Sequence, residues 1–179
     1  MNLSRLQKKL AEAAFFLGKL MKQEQRLTGH REPFDYYLSA FLSAAMSVRG
    51  GFHVRQNRKR HKATKAWREA WENNHTPDEK QLYEFMRVDR VAEVHNAGSQ
   101  RTVAQEGVKF GIGTHHIDGC VLTIDGIPTP LSGMEFADVC YRPTYSFIID
   151  GTERKVTEAC ATYLALLQRM VAQFEADHP

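Results

Sequence analysis

Cysteine is scarce in this chain and odd in number. Cys120, Cys140 and Cys160 contain no C-x-x-C pair, which excludes a disulfide framework and a thiolate-bound zinc and fits a reducing compartment. Their even spacing marks no repeat, because the flanks VLTID, YRPTY and ATYLA share nothing. Long apolar runs are also missing. Nothing approaches the roughly 18 residues that a transmembrane helix requires. The N-terminal run from Leu10 to Leu17 is broken by Glu12 and followed by KLMKQEQR instead of a cleavage site. It reads as a mature amphipathic helix, and the chain as cytoplasmic with no membrane partner. Gly111-Ile-Gly113-Thr lacks the lysine and the following helix of a phosphate-cradling loop, and no G-x-S-x-G elbow occurs.

What is present is ordinary globular material. With 179 residues, 42% of them apolar and 25% charged, the chain is long enough to bury a core as a single domain, residues 1–179. Apolar residues at Leu3, Leu6, Leu10, Ala13, Leu17 and Leu20 predict an amphipathic helix continuing to about Leu27, stopped by Thr28-Gly29-His30. Pro33 opens a second helix whose face is Phe34, Tyr37, Leu38, Phe41, Leu42, Ala45 and Val48. It ends at Gly50-Gly51. Ser39, Ser43 and Ser47 form a stripe of small residues along it. A third helix spans about Gln56 to Asn73, with Ala63, Ala66, Trp67, Ala70 and Trp71 as its buried stripe. Thr76-Pro77-Asp78-Glu79 is a capping box with proline at the first helical position. It begins a fourth helix carrying Leu82, Phe85, Met86, Val88, Val91 and Ala92 up to His95, and Asn96-Ala97-Gly98 ends that helix.

The pattern then changes. Residues 99–151 are rich in glycine and β-formers, and Asp118-Gly119 and Asp125-Gly126 are hairpin dipeptides. Tyr145–Ile149 reads as a strand closed by Asp150-Gly151. From Thr152 the helical period returns through Val156, Cys160, Tyr163, Leu164, Leu167, Met170, Val171 and Phe174. The expected fold is mainly α: a helical bundle over 1–98, a small antiparallel β-hairpin insertion over 99–151, and a C-terminal helix, 152–179, packing back on the bundle.

Charge is distributed unevenly. Arg49, Arg55, Arg58, Lys59, Arg60, Lys62, Lys65 and Arg68 are followed by the first acid only at Glu69, and eight cations there leave the rest of a +3 chain net acidic. Such a field attracts phosphate backbone and gives salt-dependent binding. The alternatives are a solvated loop and helix face, or a surface for an acidic protein. Arg55, Arg58, Lys59, Arg60, Lys62 and Lys65 are the candidate nucleic-acid contacts.

Arg90-Val-Ala-Glu-Val-His95 closes the fourth helix. That R-x4-H arrangement, the preceding Phe85-Met86-Arg87-Val88-Asp89 and the segment PFDYYLSAFLSAAMSV resemble the HEPN-like superfamily over residues 3–98. The resemblance implies a compact helical bundle that dimerises. It also implies a metal-independent ribonuclease of toxin or defence type, with no cofactor and in some systems an antitoxin partner. The Arg and His of both protomers would line one cleft. In such a site His95 would exchange protons with the 2′-hydroxyl or the leaving oxygen, and Arg90 would hold the phosphate. Where that pattern usually has a polar residue after the arginine, this chain has Val91. Positions five apart lie about 140° apart on a helix, so Arg90 and His95 do not share a face. Arg55-x5-His61 and Arg68-x6-His75 fit the same loose pattern. The competing reading is a non-catalytic helical module for dimerisation or for a protein partner, with His95 packed at the helix end.

His115-His116-x-Asp118 has the residue types of a metal set, but adjacent strand positions face opposite ways, so turn residues are the simpler reading. Tyr141, Tyr145 and Phe147 suit either base stacking or a small sheet core.

Overall fold

The fold was taken from a computed structural model. It describes residues 3–26, 31–52, 58–95, 101–116, 121–124, 127–130 and 135–178, and side chains outside 31–32, 58–61 and 90–143. Five helices and five strands follow in the order α1 (Leu3–Glu24), α2 (Arg31–Gly51), α3 (Arg58–Asn73), α4 (Pro77–His95), β1 (Arg101–His116), β2 (Val121–Ile124), β3 (Ile127–Pro130), β4 (Glu135–Ile149), β5 (Thr152–Lys155) and α5 (Val156–Asp177). The expected mainly helical architecture, with an antiparallel β insertion and a C-terminal helix on the bundle, is the architecture found.

Antiparallel packing of α1 against α2 begins the core. Leu6, Ala13, Leu17 and Leu20 of α1 meet an α2 face of Phe34, Leu38, Phe41, Leu42, Ala45 and Val48, all buried. Where α2 ends, a Cβ at Gly51 would overlap a Leu6 methyl carbon, so any side chain there would force Leu6 to shift. Along the serine stripe Ser39 and Ser43 are half-buried, while Ser47 is exposed and its hydroxyl donates to the Ser43 carbonyl.

α5 is the most deeply set helix, with Val156, Cys160, Tyr163, Leu164, Leu167, Met170, Val171 and Phe174 buried. It begins four residues later than the apolar period suggests. Asp150 and Gly151 both have positive φ, 50° and 73°, the signature of a two-residue type I′ turn. That turn folds Thr152–Lys155 back as β5 beside Ser146–Ile149. The Gln81 side-chain amide of α4 donates to the Asp150 carboxylate at 2.9 Å and ties the turn to the bundle.

β4 is the centre of a three-stranded sheet of order β1-β4-β5, and β2 pairs with β3 in a separate hairpin. The insertion is therefore larger than a small hairpin, since β1 and β4 pair from Arg101↔Phe147 out to His116↔Glu135. Among the described side chains, those at its inner end enter the core. Tyr145 stacks on Phe34 at 3.6 Å between centroids, and Phe147 meets Phe85 edge-on at 4.9 Å. These two aromatics are core, which resolves the choice between packing and base stacking for them. The Tyr141 side chain lies outside the described residues, as do Thr28-Gly29-His30, Asn96-Ala97-Gly98 and the Asp118-Gly119 and Asp125-Gly126 turns.

Candidate functional site

α3 carries most of the basic segment, and it seats differently from its sequence pattern. Of the expected stripe, Trp71 is buried and Trp67 half-buried, but Ala63, Ala66 and Ala70 are exposed. The buried side is Thr64, Arg68 and Trp71, continued past the helix end by His75, with Trp67 half-buried. Long and flat side chains make this seam, where alanine methyls would not reach. Trp67 stacks over Phe52 from the end of α2 and meets Phe174 of α5 edge-on at 4.8 Å, while its indole N–H donates to Asp177 at 2.8 Å.

A polar cluster forms on the other side of the seam. The Glu72 carboxylate lies 3.3 Å from Nε of Arg49 on α2 and 3.3 Å from Nε of Arg68, one turn back on α3. Arg49 also sits 4.9 Å over the Tyr83 ring of α4. Burial pushes the Tyr83 and Tyr163 phenols well above their ordinary range. Two of the eight cations of the basic segment are thus consumed internally. The acid that neutralises them lies just beyond the segment in sequence.

His75 adjoins this cluster and is 7% exposed. Its Nδ1 lies 3.0 Å from the Glu72 carbonyl oxygen. A carbonyl can only accept, so Nδ1 is the donor in this contact. Nε2 is buried and has no hydrogen-bond partner, and the imidazole ring has Trp71 edge-on at 4.0 Å and Tyr83 at 5.8 Å between centroids. The Arg68-x6-His75 spacing therefore joins two residues of one packed cluster.

α4 starts as its sequence indicates. The Thr76 N–H donates to Glu79 Oε2 at 2.9 Å, and the Glu79 N–H donates to Thr76 Oγ1 at 3.3 Å. Glu79 also accepts from Arg169 of α5 at 2.8 Å. The Thr76 N–H first, then Arg169, hold its carboxyl below the usual range. The helix buries Leu82, Tyr83, Met86 and Asp89, whereas Val88 is 40% exposed. The stripe inferred through Val88 is thus rotated toward Tyr83 and Asp89. Arg87 is engaged by Glu84, three residues earlier, through both Nε and Nη2.

The helix is continuous to His95, so Arg90 and His95 diverge by about 140° around it. Arg90 stands one turn beyond buried Met86, and His95 two turns beyond exposed Val88. Their side chains lie outside the described residues.

Among the candidate nucleic-acid contacts, Lys62 and Lys65 are exposed on α3. Lys65 lies 3.5 Å from Glu69, a solvent-facing pair of little energetic weight. Arg58, Lys59 and Arg60 occupy the first turn of α3, which contains no acid. Arg55 and the side chains of Arg58, Lys59 and Arg60 lie outside the described residues. Among the described residues no group of His, Cys, Asp and Glu could hold a metal ion, and no helix is long and apolar enough to cross a membrane. The positions of His115 and His116 pair with Phe136 and Glu135, and Asp118 lies outside the described residues.

Two openings flank His75. One, of about 250 Å³, is lined by Arg49, Glu72, Lys80, Tyr83 and Glu84. The other, of about 400 Å³, lies between the end of α3, the start of α4 and α5, with Trp67, Trp71, Asn74, Thr76, Arg169 and Gln173 on its walls. The sequence signals for these sites were the Arg68/Glu72 spacing of one helical turn and the two tryptophans one turn apart, each of which also fits plain packing. A comparison of the chain with family models, curated proteins and solved structures finds no significant match.

Proposed function

We propose that this protein binds RNA through the N-terminal half of α3, as a HEPN-like helical protein that acts as a homodimer in the cytoplasm. The observation that carries the reading is the placement of Arg58, Lys59 and Arg60 in an acid-free first turn, followed by exposed Lys62 and Lys65. The backbone N–H groups of a first helical turn already present positive potential. Each added cation there opposes the helix dipole by about 0.3–1 kcal/mol. A bound phosphate relieves that repulsion and gains several charge-assisted contacts.

The proposed chemistry is metal-independent RNA transesterification, with His95 moving the proton and Arg90 holding the phosphate. These positions lie about 140° apart around one continuous helix, so the pairing is of Arg90 from one protomer with His95 from the other, across a dimer. The test is cleavage of single-stranded RNA with and without chelator. Activity should survive chelation and disappear in His95→Ala. Full cleavage by His95→Ala, or loss on chelation, would refute the assignment.

A second reading is favoured by that same divergence of Arg90 and His95. In it the helical body is a non-catalytic module for dimerisation or for an antitoxin or other protein partner, and the absence of RNA cleavage is its signature.

A further inference from the structure

We infer that the opening between α3, α4 and α5 is a nucleobase site. Its volume of about 400 Å³ is at the small end of ligand sites, enough for one base with its ribose and too little for a folded peptide. The aromatic part is supplied by Trp67 and Trp71. The side-chain amides of Asn74 and Gln173 stand at the rim, exposed, and make no hydrogen bond among the described residues. An amide presents a donor beside an acceptor, the combination that base edges present in return. His75 adds a buried, unpartnered Nε2 behind this wall.

Arg169 covers the site. Its guanidinium carbon lies 5.9 Å from the Trp71 centroid. A flat ring sandwiched between two flat groups needs about 7 Å between them, two contact distances of about 3.5 Å each. The guanidinium must therefore move out by about 1 Å. It is placed to do so, since it is an exposed side chain held at this end by Glu79. An inserted base would exchange the Arg169 contact on Trp71 for stacking on both sides. The choice of a nucleobase over any other flat ring rests on the reading of α3 as an RNA-binding helix. The base can come from a free mononucleotide or from an RNA strand.

Both tryptophans of the chain line this opening, so intrinsic fluorescence reads its occupancy directly. The full-length protein is titrated with each nucleoside monophosphate and, separately, with a short single-stranded RNA. Saturable quenching by a monophosphate, or by RNA alone, supports the site and identifies its source. In Asn74→Ala/Gln173→Ala, whose exposed positions leave the core intact, the quenching midpoint should move about tenfold to higher concentration, the effect of two lost hydrogen bonds. No saturable quenching by either probe, or a midpoint unchanged in the double variant, overturns the inference. RNA binding detected by anisotropy without tryptophan quenching would overturn this site while leaving the α3 reading standing. Monophosphate quenching without RNA binding would do the reverse.

Discussion

α5 and α3 are both amphipathic helices, and they attach to the molecule by different physics. α5 buries a continuous apolar surface from Val156 to Phe174, so hydrophobic transfer sets its position and its periodicity reveals its seam. α3 attaches through two indoles, a bridged pair of arginines and a buried histidine, while its alanines face water. A helix held by specific polar partners can carry a strongly cationic outer face, because the apolar seam need not be wide. That separation lets one helix be structural at its C-terminal half and a candidate phosphate surface at its N-terminal half.

The largest expected break in this comparison is Leu167→Ala at the fully buried centre of α5, which should cost about 2–5 kcal/mol in chemical denaturation. Ala66→Ser on the exposed side of α3 should stay within about 0.5 kcal/mol of the parent. Equal costs would mean that the α3 seam had been misplaced.

Next is Glu72→Gln. Removing the charge shared by Arg49 and Arg68 takes the Glu72 carboxylate from beside the poorly exposed Arg68 guanidinium, at a cost of about 2–3 kcal/mol. The loss should fall on α3, seen as increased amide exchange there while α5 stays protected. A uniform loss across both helices would contradict a locally attached α3.

A smaller effect belongs to the start of α4. Thr76→Ala removes one half of the capping box and should cost about 1 kcal/mol. Glu79 supplies the other half, and its carboxyl is lowered from an ordinary value of 4.5. A carboxylate depressed in the folded state stabilises fully above its unfolded value, and that contribution disappears as pH falls through the folded value. The stability difference between the parent and Glu79→Gln should therefore be present at neutral pH and vanish in acid below that range. A difference that persists at the lowest pH would show that charge is not its source.

Much of the fold was legible in the sequence wherever burial is apolar. The faces of α2 and α5, the Thr76–Glu79 cap and the Asp150-Gly151 turn all follow from local rules. β5 was missed because Thr152–Lys155 is short and polar and becomes a strand only when the preceding turn lays it beside β4. Of the α3 seam the two tryptophans were legible, but the alanines and Arg68 were not, because periodicity counts alanine as apolar and arginine as solvent-facing, whereas Arg68 is buried against a glutamate one turn away. Within the candidate site, the cationic run was readable as charge, but its division was not. Arg49 and Arg68 turn inward to Glu72, and only the fold brings Arg49 from α2 to that acid. The groove beside Trp71 depends on Arg169 and Gln173, about a hundred residues away in sequence, which no local pattern connects.

The central claim is that the N-terminal half of α3 binds RNA phosphates, and the salt dependence of RNA affinity tests it most directly. For the parent, the logarithm of affinity should fall linearly with the logarithm of salt concentration. In Arg58→Gln/Lys59→Gln/Arg60→Gln that slope should be shallower by about 2, the effect of three lost phosphate contacts on a single strand. RNA affinity that does not respond to salt, or a slope identical in the triple variant, would contradict the account.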